Sequence, residues 1–194
     1  PLQPLLLGWA GRGELGRLER SEATSAAIGL QGDRLLSALY VNELVLRLVP
    51  RGEPQPSLFW RYAACLGELD STAELGWALR RFERDLLVEL GYGLALEFEA
   101  DGESPIEPAL SYRYQFDSGA QRLRVAENGS VAGSSLIALR EDLCPDAAGR
   151  RDLRRLMRRV LLHHLGGREL RSWQVLADLA QRTGATQSGD TSST

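Results

Sequence analysis

The chain has 194 residues, of which 43% are hydrophobic and 25% charged, enough for one domain with a sizeable core or for two small ones. No apolar run reaches the roughly 18 residues that cross a bilayer, and no secretory signal is expected after Pro1. The formal charge of −3 hides a split, because residues 150–194 carry 9 Arg and 4 acids whereas residues 1–149 carry 14 Arg and 22 acids. This asymmetry indicates a local site for a polyanion.

The first twenty residues have strand character. Apolar residues 5–9 precede a Gly-rich turn at residues 10–13, and residues 14–18 alternate, which predicts a β-hairpin. Because a lone hairpin is too small to be stable, it either belongs to a sheet whose other strands are missing or packs on the next part of the chain. A chain that opens on Pro1 rather than Met is expected to be cut at its front. The turn lacks the features of a P-loop and of a dinucleotide fingerprint, so its glycines are assigned to the turn itself.

Three helices in succession predict a helical bundle. The apolar period changes from two to 3.6 after residue 32, and Asp33 is a suitable N-cap for the first helix. Ser71 and Glu74 form the pattern of a capping box at the start of the third helix, and Gly91 fits a left-handed cap at its end. The predicted helices span residues 33–49, 57–69 and 71–90.

An acidic segment then interrupts the bundle. Residues 97–107 contain five Asp or Glu and no base, which predicts a solvated loop. The alternating residues 110–116 and 121–125 predict a second hairpin around a turn. The polar composition from Thr183 onward predicts a disordered tail. Helical patterns return at residues 134–142, 146–165 and 172–182.

Three Arg pairs recur every four residues in the helix that is predicted from residue 146. At about 100° per residue the six arginines fall on one half of the helix and its apolar residues gather opposite, so we expect a docked helix with six outward guanidinium groups. Arg binds phosphate through a planar, bidentate fork. The alternative is a solvated helix face, which is the usual fate of a charge run. The arginines are Arg150, Arg151, Arg154, Arg155, Arg158 and Arg159, and the apolar residues are Leu153, Leu156, Met157 and Val160.

Residues for enzyme chemistry are scarce. His163 and His164 are the only histidines, and adjacent side chains on a helix diverge by about 100°, so the pair alone cannot hold a metal. We expect one imidazole to be half-buried and the other exposed near a helix C-terminus. The chain has no Lys, and Cys65 and Cys144, which form no CxxC pattern, are expected to be reduced thiols. The sequence therefore predicts no catalytic residue, no metal and no cofactor.

Four motifs, in this order along the chain, resemble the signature of the bacterial recombination mediator family RecO. They are Leu-Gln-Pro-Leu-Leu-Leu with Gly-Arg-Gly-Glu at 2–14, Tyr-Val-Asn-Glu-Leu at 40–44, Ala-Leu-Arg-Arg-Phe-Glu to Leu-Gly-Tyr-Gly at 78–93, and Leu-Gly-Gly-Arg-Glu-Leu-Arg-Ser at 165–172. In that family an OB-fold barrel precedes a helical domain. The resemblance therefore implies an α+β fold with these parts: the last hairpin of an incomplete OB-fold barrel at 1–21, a mainly helical domain at 33–182 with a β-hairpin insert at 97–125, and a tail at 183–194.

The resemblance also implies a function in DNA repair and recombination. Family members are non-enzymatic mediators of the RecF pathway that bind single- and double-stranded DNA and anneal strands. They act with RecR and with the C-terminal tail of SSB, and thereby help to load RecA, in the cytoplasm at the nucleoid. Many relatives carry a four-cysteine zinc module in the region that matches residues 97–125. This chain has no cysteine there, so no structural zinc is expected.

The predicted DNA site combines the six arginines of the helix with Arg12, Arg17, Arg168 and Arg171. Arg20 extends the track, and Trp9 either stacks a base or belongs to the core. The predicted site for the SSB tail is Arg80, Arg81 and Phe82, since a terminal carboxylate needs an Arg beside an apolar slot. The alternative is that Phe82 is core and that both arginines form ion pairs with Glu83 or Asp85.

Two other functional classes stay open. In the first, the chain is a protein-interaction scaffold whose Arg-rich helix binds an acidic protein partner rather than DNA. In the second, the chain is an enzyme that uses the acidic loop with a divalent metal. The carboxylates of that loop lack the order of an EF-hand, which disfavours the second class.

Overall fold

The computed structural model describes residues 2–11 and 16–175, and its α+β architecture confirms the predicted fold class. Helices and small antiparallel sheets alternate in blocks along the chain. Residues 171–175 are also helical. Arg12, most of the helix predicted at 172–182 and the tail predicted at 183–194 lie outside the described residues. The elements are β1 (Leu5–Ala10), β2 (Arg17–Ala23), α1 (Gly32–Leu48), α2 (Pro56–Ser71), α3 (Leu75–Glu89), β3 (Ser111–Gln115), β4 (Gly119–Leu123), β5 (Val131–Ala132), α4 (Gly133–Arg140) and α5 (Ala147–His164).

The core lies where α3 and α5 pack against each other and against their neighbours. Most apolar residues of α3 recur at helical spacing and are buried. The apolar residues that the sequence placed opposite the arginines of α5 are buried as well. Helix α2 lies against α3, and α1 contacts both. The predicted amphipathic character of α5 is therefore confirmed. Its buried stripe consists of Leu153, Leu156, Met157, Val160 and Leu161.

The start of α3 differs from the prediction. Ser71 is the last residue of α2 and does not cap α3, so the predicted capping box is wrong. The link between the helices is so short that Thr72 instead accepts a hydrogen bond from the amide of Glu74 at 3.0 Å. The end of α3 is as predicted, because Gly91 has a φ of 79° and the amide of Tyr92 donates to the carbonyl of Leu87 at 2.7 Å.

The second hairpin is confirmed and forms a three-stranded sheet in the order β4, β3, β5. The acidic loop docks onto this sheet, which corrects the prediction that it is solvated throughout. Glu99, whose side chain is only 10% exposed, accepts hydrogen bonds from Arg122 at 2.9 Å and from the Tyr112 hydroxyl at 3.1 Å. Arg122, 23 residues further along the chain, thus compensates the charge of Glu99, the less exposed end of this contact.

The first hairpin pairs only with itself among the described strands. Its second strand is longer and starts later than predicted, and the register shifts between Gly8 and Trp9. Several apolar side chains of β1 and β2 are exposed, and Trp9 is 75% exposed, so Trp9 is not a core residue of the described chain. The hairpin therefore presents an apolar surface that the described part of the chain leaves exposed.

A buried ionic cluster joins α1 to α3. The Glu83 carboxylate is fully buried and accepts hydrogen bonds from Arg80, which is also buried, and from the Tyr40 hydroxyl. Burial raises the pKa of Glu83, and the Arg80 guanidinium opposes that rise. Burial also raises the pKa of Tyr40, so its hydroxyl remains a donor. The two charges are held in the core only because each compensates the other.

We expect Arg80→Ala to lower the free energy of unfolding by about 3–5 kcal/mol, because it leaves the Glu83 carboxylate buried without a cation. Urea denaturation followed by circular dichroism measures this loss. The control is Arg61→Ala, which removes exposed ion pairs to Asp85 and Glu89 and should cost about 1 kcal/mol or less. A comparable loss in the two variants would contradict the role given to the buried pair.

Candidate nucleic-acid interface

Helix α5 begins at a defined cap that fixes where its arginines lie. The Asp146 carboxylate accepts a hydrogen bond from the amide of Gly149 at 2.7 Å, as an N-cap side chain does. Gly149 is buried, and a Cβ on it would lie 2.8 Å from the Cβ of Pro145. The close approach between the cap and the first turn therefore requires glycine, and it sets the rotation of α5 on the core.

Four of the six α5 arginines are exposed along one side of the helix: Arg151, Arg154, Arg155 and Arg158. Arg155 pairs with Asp152 at 2.6 Å, and Arg158 pairs with Glu169 at 3.1 Å. Arg151 and Arg154 form no ion pair with any described residue. Their guanidinium groups are therefore the most available cations of α5 for an anionic ligand.

The other two arginines are turned inward, which corrects the expectation of six outward groups. Arg159 donates to the carbonyl of Gly129 at 3.2 Å, and its Nε is buried without a partner among the described residues. Arg150 donates to the carbonyl of Pro145 at 3.1 Å and lies 3.5 Å from a carboxylate oxygen of Glu74. Both lie at the edges of the basic half of the helix, where they reach neighbouring segments.

A cleft between the N-terminal turns of α3 and α5 brings together residues of both predicted sites. Its volume is about 430 Å³, and four of the seven residues that line it are arginines. Glu74 is the one acidic residue of this lining. Arg80 lines the cleft from α3, and its Nε makes no hydrogen bond to a described residue. The cleft is lined by Glu74, Gly76, Arg80, Ala147, Arg150, Arg151 and Arg154.

The structure does not bring Arg80, Arg81 and Phe82 to one surface. Phe82 is 3% exposed and belongs to the core, so the expectation that it contacts a partner is wrong, and the core alternative holds. Arg80 pairs with Glu83, as the alternative predicted. Arg81 pairs with Glu68 and Asp142, each at 2.9 Å, rather than with the residues that were expected. Consecutive helix positions point in different directions, which separates the three side chains.

The remaining predicted arginines lie away from the cleft lining. Arg17 and Arg20 are exposed on β2 and pair with Glu19 and Glu22 of the same strand. Arg168 and Arg171 are exposed after α5. Their contribution to a DNA site remains a prediction.

Comparison with known proteins identifies the family. Residues 30–174 match the family model described as "Recombination protein O C terminal". The chain belongs to the RecO family. It is 48% identical over 187 residues to the DNA repair protein RecO of Xanthomonas euvesicatoria pv. vesicatoria (strain 85-10), covering 94% of this chain and 78% of that protein. The DNA repair protein RecO of Stenotrophomonas maltophilia (strain R551-3) is 46% identical over 186 residues, covering 94% of this chain and 77% of that protein. These relatives are named for DNA repair, which is the coarse function that the family membership supports.

Two motifs of the RecO resemblance meet in space through Glu43 of α1. Its carboxylate accepts hydrogen bonds from the amides of Arg171 and Ser172 at 2.9 Å and from the Ser172 hydroxyl at 2.8 Å. Burial raises the pKa of Glu43, but these hydrogen bonds outweigh it, so the pKa lies below its usual value. Sequence reasoning missed this contact, since Ser172 suggests a helix start but nothing identifies a carboxylate 129 residues away.

The histidines of this RecO-family chain are placed as predicted, His164 half-buried and His163 exposed. Burial and the neighbouring His163 lower the pKa of His164, so it is neutral at neutral pH. In residues 2–11 and 16–175, no cluster of three or more His, Cys, Asp or Glu is arranged to hold a metal. Burial raises the pKa of Cys65 to about 12, so its thiol stays protonated. No helix in the described part of the chain is long and apolar enough to span a membrane.

We expect Glu43→Gln to lower the free energy of unfolding by about 1 kcal/mol at pH 7. The carboxylate accepts hydrogen bonds from three donors, and a glutamine amide has only one oxygen to accept them and places its NH2 group against the others. The Glu43 pKa is lower in the folded chain than the usual 4.5, so its stabilising effect is present above pH 4.5 and is lost as the pH falls through the folded value. The difference in the free energy of unfolding between the wild-type chain and the variant should therefore become smaller in acid. Urea denaturation from pH 7 to pH 3 measures this difference. The exposed loop variant Glu53→Gln is the control. A gap that stays constant over this pH range would refute the capping role.

Proposed function

We propose that this RecO-family chain binds DNA through the exposed side of α5 and acts in DNA repair and recombination. The observation that carries the proposal is that four exposed arginines follow one side of α5, two of them without an ion pair among the described residues. From Arg151 to Arg158 the helix rises about 10 Å, at 1.5 Å per residue. In a duplex about three phosphates of one strand occupy that length.

Contact with phosphates explains binding and annealing without covalent chemistry. Guanidinium groups neutralise the backbone and release its counterions, which gives affinity that is independent of sequence and falls with salt. Two strands repel each other, and a surface that neutralises both lowers the free-energy cost of bringing them together while the bases remain accessible. On this proposal the chain is a non-enzymatic mediator that needs no metal and no cofactor.

We propose further that the cleft between α3 and α5 binds the acidic C-terminal tail of SSB. The terminal carboxylate of the tail would bind Arg80, Arg151 and Arg154. The small residues Gly76 and Ala147 leave room for an apolar side chain of the tail, a role that the sequence had assigned to a slot at Phe82. Family membership supports the wider assignment, in which the chain works with RecR in the RecF pathway, helps to load RecA, and acts in the cytoplasm at the nucleoid.

The double variant Arg151→Ala, Arg154→Ala should bind a labelled single-stranded oligonucleotide with a reduced salt dependence. Two lost phosphate contacts lower the slope of log K against log salt by about 1.4 for a single strand. Fluorescence anisotropy across a salt series measures the slope. The control variant Arg61→Ala, Arg113→Ala removes the same charge from exposed positions outside α5 and should keep the wild-type slope. Equal slopes in all three proteins would remove α5 from the DNA site.

Gly76→Leu should weaken binding of a labelled peptide with the sequence of the SSB tail by on the order of tenfold, while DNA binding is retained. A side chain at residue 76 has open space around it, so it occupies the cleft without removing a charge or straining α3. Anisotropy titrations measure both affinities, and a peptide with an amidated C-terminus tests the carboxylate. An unchanged affinity for the peptide would show that the cleft is not the binding site of the SSB tail. Tight peptide binding in a chain that binds no DNA would favour the scaffold that binds an acidic protein partner.

A further inference from the structure

Four rings form a ladder at the C-terminal end of α5. The imidazole of His164 stacks on the ring of Tyr92, with centroids 4.5 Å apart and planes at 23°. The imidazole of His163 stacks on the ring of Phe116, with centroids 4.6 Å apart and planes at 22°. The two imidazoles meet edge to face at 5.2 Å. The ladder therefore links the segment after α3, the end of α5 and the turn between β3 and β4.

Packing alone does not account for this ladder, because its two outer residues remain about half exposed. Tyr92 is 52% exposed and Phe116 is 42% exposed, although each has an imidazole against one face. Core packing would bury such rings. Aromatic rings that are held in place and still partly exposed can stack unpaired bases.

The ladder lies next in sequence to the cations proposed for the DNA backbone. His163 follows Arg158 by five residues, about 7.5 Å along the axis of α5 and about 140° around it, so the ladder begins one helical turn after Arg159, at the edge of the basic half. Gly166 and Gly167 follow, both with positive φ, and a Cβ on either would meet nothing within 4 Å, so the backbone there is open to a ligand. The C-terminal end of a helix carries partial negative charge, which disfavours a phosphate and leaves this position to an uncharged base.

We propose that Tyr92, His164, His163 and Phe116 form a stacking site for unpaired bases of a single DNA strand whose phosphates lie along α5. The inference rests on the proposed DNA site and adds a preference for single strands. Bases of a duplex are already stacked on each other and are not free to stack on the rings. The arginines then hold the backbone of either form of DNA, whereas the ladder contacts only the single strand.

The test compares Tyr92→Leu and Phe116→Leu with the wild-type chain, using one labelled oligonucleotide as a single strand and as a duplex. Loss of one stacked base lowers affinity roughly 5- to 150-fold. We expect at least a fivefold loss for the single strand, less than a twofold change for the duplex, and an unchanged salt slope for both. Tyr92→Phe and Phe116→Tyr keep a ring and should retain wild-type affinity. The matched control is Trp60→Leu, which removes an exposed aromatic ring from α2.

A second measurement needs no variant. The fluorescence of 2-aminopurine in a single-stranded oligonucleotide should fall when the wild-type chain binds, because stacking on a ring quenches it. Two results would overturn the proposed stacking site. One is the absence of quenching at every position of the base analogue, and the other is an equal loss of affinity for the single strand and the duplex in the leucine variants. The reduced salt slope of the double variant Arg151→Ala, Arg154→Ala would not be affected by that result. Failure of the stacking site can therefore be distinguished from failure of the proposed DNA site on α5. A folded wild-type chain that binds neither form of DNA would overturn both proposals.

Discussion

The buried pair of Arg80 and Glu83 is the interaction on which the rest of the structure depends. Two charges inside the core must compensate each other, and Tyr40 completes the cluster from α1. The ring of Tyr40 lies 6.4 Å from that of Trp173, and Trp173 lies 4.4 Å beneath the guanidinium of Arg158. A chain of contacts thus runs from the cleft through the core to the segment after α5. The position of the basic helix and the packing of the core are therefore not independent.

This arrangement divides the arginines of α5 between two tasks. Arg150 and Arg159 hold neighbouring segments, and Arg158 both covers Trp173 and pairs with Glu169. Arg151 and Arg154 remain as the least engaged cations of the helix among the described residues. Some arginines of this basic helix therefore hold the structure together, whereas others are available to bind a ligand. The proposed DNA affinity comes mainly from the second group. Loss of a structural arginine acts on stability as well as on binding.

Local patterns predicted much of the fold and only part of the site. The apolar stripe of α5, the left-handed cap at Gly91 and the placement of one exposed and one half-buried histidine follow from helix geometry, and all three are confirmed. Apart from the capping box at Ser71, which was a local error, the errors are of another kind. Phe82 proved to be core, and Glu99 proved to be docked. Whether a side chain is buried or paired depends on elements far away in the chain. The local spacing of apolar residues carries no information about those elements.

The sequence by itself determined the element types, the amphipathic basic helix, and the motifs that placed the chain in the RecO family, because these depend on residues within a few turns of one another or on their order. The tertiary structure alone decided which residues meet. Glu43 caps a helix 128 residues later, Arg80 joins the arginines of α5 in one cleft, and Tyr92 and Phe116 stack on adjacent imidazoles. Such contacts arise from packing between distant elements, and the free energy of that packing is set by the whole core rather than by any local pattern.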